Sequence, residues 1–123
     1  MVLLKKQYRL RKNKDFRDVY NKRVTVAAGT IVLYIRSDSK QDFPRIGFSV
    51  SKKMGNAVAR NRYRRMMREA ARRNLDFFLP GADYVFICRA AMKQADFERL
   101  EKDMQKVLKR RVNTLAEMVG GSN

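Results

Sequence analysis

Few groups in this chain could make or break a covalent bond. There is no histidine, which excludes Ser-His and Cys-His nucleophiles, an imidazole proton shuttle and a Cys/His zinc site. The one cysteine, Cys88, closes the apolar run Tyr84-Val85-Phe86-Ile87-Cys88 and reads as a small buried hydrophobe, not a reactive thiol. It cannot form an internal disulfide, so nothing points to an oxidising compartment. Asp15 and Asp18 stand three apart on a candidate helix, a spacing at which two carboxylates can hold Mg2+. That would suit a stand-alone nuclease. Lys14, Arg17 and Lys22 surround them, however, and surface pairing accounts for the acids better. The expectation is therefore no catalytic residue and no metal ligand in this chain.

Cationic side chains dominate instead. Across 123 residues there are 29 Lys and Arg against 12 Asp and Glu, a net charge of +17. Residues 1–23 hold nine basic and two acidic side chains, and residues 52–73 hold nine and one. These two segments carry 15 of the 17 excess charges, while the rest of the chain is nearly balanced. A charge spread for solubility would be even. This distribution implies two elements of one anion-binding face and a polyanionic partner, nucleic acid before an anionic membrane.

The richest element is a helix expected over 57–74, led in by Gly55-Asn56 and stopped before Pro80-Gly81. At about 100° per residue, Ala59, Tyr63, Met66, Met67 and Ala70 share one face. Arg60, Asn61, Arg62, Arg64, Arg65, Arg68, Glu69, Arg72 and Arg73 cover the remainder. Arg, whose planar fork suits bidentate phosphate contacts, is used there in place of Lys. Like charges four apart, as in Arg60/Arg64/Arg68/Arg72, disfavour an isolated helix by a few tenths of a kcal/mol per pair, a cost a bound polyanion would offset. Glu69, four residues from Arg65 and from Arg73, is expected to pair with them.

Other elements must position this helix. Residues 1–12 are basic and lack periodicity, which suggests an extended arm. Asn13 can cap a helix over 13–22 that aligns Phe16, Val19 and Tyr20. Strands are expected at Val24–Ala28, Thr30–Ile35, Arg45–Val50 and Asp83–Arg89, with a turn over Ser37–Pro44. A last helix over 96–118 takes Asp96 as N-cap and buries Phe97, Leu100, Met104, Val107, Leu108 and Leu115, and residues 119–123 form a flexible tail. With no repeat or linker, residues 1–123 read as one α+β domain of order α-β-β-β-α-β-α. No apolar run reaches the ~18–20 residues of a membrane span, and the start turns basic too soon for a signal peptide. A soluble, cytoplasmic protein is expected.

Phe16 and Tyr20 share a helix face, and Val32 and Tyr34 share a strand face. Aromatic rings beside a basic rim suit single-stranded nucleic acid, because stacking is worth about 1–3 kcal/mol per base and tolerates any sequence. The same rings could be core, and the face of Val32 is ambiguous from sequence.

The stretch from Ser51 to Ala70, with Lys52-Lys53-Met54-Gly55-Asn56-Ala57-Val58-Ala59-Arg60-Asn61-Arg62 at its heart, closely resembles the signature of the protein subunits of bacterial ribonuclease P. The likeness extends to Tyr8–Phe16, to Val32-Leu33-Tyr34 and to Arg45–Ser51, and fades after Arg89. It implies a single α/β sandwich with an unusual left-handed β-α-β crossover. It further implies a subunit that joins a catalytic RNA to remove the 5′ leader of precursor tRNA, the RNA and substrate holding the Mg2+. Lys52, Lys53, Arg60, Asn61, Arg62, Arg65 and Arg68 would contact the RNA subunit. Lys12, Phe16, Tyr20, Val32, Tyr34 and Ser49 would form the leader cleft, with Lys53, Arg60 and Asn61 at its margin. Tyr20 stands where many members have Phe, and keeps the ring. The alternative is a generic RNA-binding or ribosomal protein. Arg45–Val50 loosely echoes an RNA-recognition-motif strand, but the element order differs, and a generic binder has no reason to carry the Gly-Asn-Ala-Val-x-Arg-Asn-Arg run.

Overall fold

The computed structural model describes residues 8–10, 12–21, 24–36 and 42–121, without the side chains of Asn21 and of residues 111–121. Along the chain run α1 (Asn13–Asn21), β1 (Val24–Ala27), β2 (Ile31–Arg36), β3 (Arg45–Ser49), α2 (Ala57–Arg73), β4 (Asp83–Cys88) and α3 (Phe97–Gly121). The fold is α+β, with each expected helix and strand present and its ends shifted by a few residues, while most of the expected turn over Ser37–Pro44 lies outside the described residues. Asn13 is already helical: the first α1 bond runs from the Phe16 N–H to the Lys12 carbonyl, so Asn13 stands one position inside the end it was expected to cap. Asp96 does cap α3, its carboxylate accepting from the Arg99 N–H at 2.9 Å. The α3 backbone continues to Gly121, past the expected 118, because glycine weakens a helix without removing a backbone donor. Leu115 and the end of the tail lie outside the described side chains, as does most of the basic arm.

The strands form one sheet in the order β1-β2-β4-β3, with β3 parallel to β4 and the other pairs antiparallel. The segment β3-α2-β4 is thus a β-α-β unit between adjacent strands. Strand periodicity sorts the side chains. Ile31, Leu33, Ile35, Ile46, Tyr84 and Phe86 point to one face, against Met67 and Ala70 of α2 and Leu100, Met104, Val107 and Leu108 of α3. The other face carries Tyr34, Val85 and Ile87, which meet Leu10 and the α1 residues Phe16, Val19 and Tyr20. The arm is therefore not free along its length. The Leu10 N–H donates to the Ile46 carbonyl at 2.8 Å, Arg9 bridges Ile46, and the Leu10 side chain is buried.

Ion pairs hold α1 in place. Asp83, fully buried at the start of β4, accepts from Arg45 at 2.8 and 2.9 Å and from Arg36. The same two arginines reach Asp15 at 3.8 Å and Asp18 at 3.6 Å. Burial pushes the Asp83 carboxyl up, but its bonds to Arg45 and Arg36 outweigh burial and hold it below the usual carboxylate range. Across the sheet, Asp103 of α3 accepts from the Thr30 N–H at 3.0 Å and from its hydroxyl at 2.7 Å. Among the described residues no helix is long and apolar enough to cross a membrane.

Candidate nucleic-acid interface

A groove of about 670 Å³ opens between α1 and α2 over the end of β3. Asn13, Phe16, Arg17 and Tyr20 form one wall, Phe48, Ser49 and Val50 the floor, and Arg64 the opposite wall. The α1 wall follows from helix spacing: Phe16 and Tyr20, four residues apart, stack one above the other along the helix, with ring centroids 6.5 Å apart. Both rings are half-buried. Phe16 can approach the sheet because residue 47 is glycine. A Cβ built there would lie 2.5 Å from Phe16 Cζ. Tyr20 shares a hydrogen bond with Ser49 and meets Tyr34 edge-on at 5.3 Å. Burial raises the Tyr20 phenol above its ordinary value against the lowering effect of that bond, so it stays neutral and able to donate.

Strand register extends this surface. Ser49 pairs with Ile87, and Ile87 with Val32. These three half-buried side chains form a row next to the Gly47-Val85-Tyr34 row that α1 covers. Of the expected cleft residues, Phe16, Tyr20 and Ser49 line the groove itself. Tyr34 supports Tyr20, Val32 lies one strand beyond Ile87, and Lys12 is exposed immediately before α1. Lys53, Arg60 and Asn61 are not among the lining residues.

Three features escaped the sequence reading. Ile87 stands in sequence within an apolar run, and its place on the α1 face follows from the alternation of β4. Phe48 faces the α2 side, stacked on Phe86 at 6.0 Å, yet also reaches the groove because β3 ends the sheet on that side. Arg64 lies on the basic arc of α2 together with Arg60 and Arg68, and no angular signal separates it from them.

The arginines of α2 fall into two sets. Arg60, Arg64 and Arg68 are half-buried, whereas Asn61, Arg62 and Arg65 are exposed. Arg68 lines a small depression with Arg9, Leu10, Ile46 and Phe48. Burial, followed by the like charges of Arg9, Arg64 and Arg65, lowers the Arg68 guanidinium from its ordinary value. The Nε atoms of Arg60 and Arg68 are buried without a hydrogen-bond partner, a condition an accepting phosphate oxygen would relieve. Arg64 is steadied by Asn61, whose side-chain oxygen accepts at 2.5 Å.

Glu69 does not pair with Arg65 and Arg73 as expected. It accepts from Arg72 at 2.6 and 3.0 Å, while Arg73 turns to Glu101 at 3.3 Å and over the Phe97 ring. The i,i+3 geometry and the packing of α3 against the end of α2 decide this. Arg65 is thereby left on the open face.

The start of α2 is sharply defined. Gly55 adopts φ 135°, a conformation that favours glycine, and it joins a 3-10 turn at Lys52–Met54 to the cap. The Asn56 side chain accepts from the Ala59 N–H at 2.9 Å. Lys52 and Lys53 are exposed just before the helix. Beside them stands Val58, 78% exposed, on the arc that otherwise carries polar and basic groups.

Among the described residues no cluster of three or more His, Cys, Asp or Glu could hold a metal ion. Asp15 and Asp18 reach Arg45 and Arg36 of the sheet. Cys88 is buried, and burial pushes its thiol up to about 11, which leaves it protonated and unreactive near neutral pH.

Comparison with known proteins places this geometry. The family model described as Ribonuclease P matches residues 4–112. The ribonuclease P protein component of Clostridioides difficile (strain 630) is 44% identical over 102 residues, which cover 82% of this chain and 89% of that protein. The component from Desulforamulus reducens is 46% identical over 101 residues, covering 82% and 88%. Among solved structures, the RNase P protein of Staphylococcus aureus superposes with a TM-score of 0.77 at 36% identity, covering 85% of this chain and 94% of that one. That of Thermotoga maritima gives 0.75 at 30%, covering 83% and 96%.

Proposed function

The chain belongs to the ribonuclease P protein family, and from that premise we propose that its two basic surfaces hold two different RNAs. As a protein subunit of this tRNA-processing ribonucleoprotein it has the RNase P RNA as its partner. The exposed side of α2 and the turn before it, with Lys52, Lys53, Asn61, Arg62 and Arg65, docks on that RNA, and Arg60 and Arg68 add half-buried guanidiniums at its edge. The groove between α1 and α2 takes the 5′ leader of precursor tRNA. The catalytic centre lies in the RNA subunit, which together with the substrate holds the Mg2+.

One observation carries this reading: two half-buried aromatic rings, Phe16 and Tyr20, stand across a groove from the guanidinium of Arg64, with Arg17 on their own wall. Rings give single-stranded bases a sequence-tolerant stacking surface, and the cations on either side meet the phosphates. The protein supplies binding and charge neutralisation: each phosphate contact releases counterions, which favours assembly at low salt. Precursor tRNA incubated at low Mg2+ with the catalytic RNA alone, the protein alone and both together tests the assignment. Cleavage by both together, well above the RNA alone, and none by the protein alone is expected. Cleavage by the protein alone would place the catalytic centre in this chain and overturn the proposal.

A further inference from the structure

We infer that Val58 is an apolar contact residue for the partner RNA, packing against its ribose surface while the neighbouring arginines take the phosphates. The inference rests on the reading of α2 as the surface that docks on the RNA subunit. Val58 is 78% exposed, and it shares an outward stripe with Asn61, Arg62 and Arg65 at spacings of three, four and seven residues. All four side chains are exposed. The stripe is closed at its other end by the Glu69–Arg72 ion pair.

Among the described residues none buries Val58 in a way that accounts for a valine there. It buries little surface, and a β-branched residue on an exposed helix is less favourable than alanine. Its position is fixed all the same: the Asn56 cap and the positive φ of Gly55 define the first turn of α2 in which it stands. Ala57 beside it is also small and exposed, so no long side chain holds a partner away. A partner that meets Asn61, Arg62 and Arg65 therefore also meets the Val58 methyl groups.

Charge selects the partner. Arg62 and Arg65, with Lys52 and Lys53 just ahead of the helix, demand a polyanion. The wide, shallow minor groove of an RNA helix presents ribose edges and 2′-hydroxyls between its phosphate rows. A helix laid there has its flanking cations at the phosphates and its central apolar residue against sugar C–H groups. A single strand threaded through the α1–α2 groove would not touch Val58, which is not among the groove's lining residues.

Val58→Ala tests this in the full-length protein, with binding to the catalytic RNA measured across a range of salt concentrations. Affinity should fall about three- to fifteenfold, the scale for two methyl groups leaving an apolar contact. The slope of log K against log salt should stay unchanged, because no phosphate contact is lost. Thermal stability of the free protein should hold or rise, since alanine is the better helix former. Affinity for a short single-stranded RNA should not change. Val58→Lys should make the salt slope steeper and leave the affinity at high salt below that of the wild type. Wild-type affinity retained by Val58→Ala would overturn the inference, as would an equal loss on the single strand. Failure of the wild-type protein to bind the catalytic RNA at all would instead refute the docking reading on which the inference depends.

Discussion

Gly47→Ala should displace Phe16 and disable the groove through a single added methyl group. The new Cβ would fall 2.5 Å from Phe16 Cζ, 2.8 Å from its Cε1 and 3.2 Å from Leu10 Cβ, all within van der Waals repulsion. Gly47 has no positive φ, so alanine brings no backbone strain, and removing a strand glycine alone would stabilise by about 0.5–1 kcal/mol. Overpacking opposes this at about 1–3 kcal/mol. Phe16 is half-exposed and can swing outward, so a net destabilisation of about 1–2 kcal/mol is expected. Phe16→Ala alone should cost about 1.5–3 kcal/mol, below the ~3–5 kcal/mol of a fully buried ring. In that background only the 3.2 Å approach to Leu10 Cβ remains, and Gly47→Ala should become close to neutral. Urea or thermal unfolding of the two single variants and the double variant forms a complete cycle. The predicted coupling is about 1–2 kcal/mol; additivity within about 0.5 kcal/mol would refute the placement of the ring on Gly47.

Two further outcomes follow from the ion pairs and the basic helix. Asp83→Asn strands Arg36 and Arg45 around a buried neutral group and should cost about 2–4 kcal/mol near neutral pH. Because the folded Asp83 carboxyl is held below its ordinary value, its contribution is present above the unfolded value of about 3.9. It is lost as pH falls through the lower folded value. Wild-type and Asp83→Asn stabilities should therefore converge in acid; a constant gap down to about pH 2 would contradict the sign. Arg65→Ala should lower affinity for the catalytic RNA and flatten the salt slope by about 0.7–0.9 with the melting temperature unchanged. A large fall in melting temperature would make Arg65 structural.

The sequence carried most of the fold, because the features that define the elements are local. Asp96 caps α3, Asn56 and Gly55 begin α2, and the alternation in Ile31–Ile35 separates Leu33 from Tyr34. What it did not carry depends on how elements meet. Leu10 lies in a basic, aperiodic arm, and only its bond to the edge strand β3 reveals that it is core. Glu69 has two arginines at the favoured i,i+4 distance, but α3 supplies Glu101 for Arg73, and Glu69 takes Arg72. The acids Asp15 and Asp18 find their partners on β2 and β3, which no spacing within α1 could indicate. In the candidate site, the aromatic pair Phe16/Tyr20 and the basic face of α2 were legible from helix periodicity. The approach of Arg64 to the groove was not, since it depends on the tilt of α2 over β3, and neither was the alignment of Ser49, Ile87 and Val32, since it depends on sheet order.

The central claim is that the α1–α2 groove holds the 5′ leader, and a paired affinity measurement on the reconstituted complex tests it most directly. Complexes built with wild-type protein and with Tyr20→Ala are compared for binding to precursor tRNA and to mature tRNA, which lacks the leader. Losing one stacking ring should weaken precursor binding by about 1–3 kcal/mol, roughly five- to 150-fold, and leave mature tRNA binding unchanged. Equal losses on both ligands, or no loss on the precursor, would contradict the account.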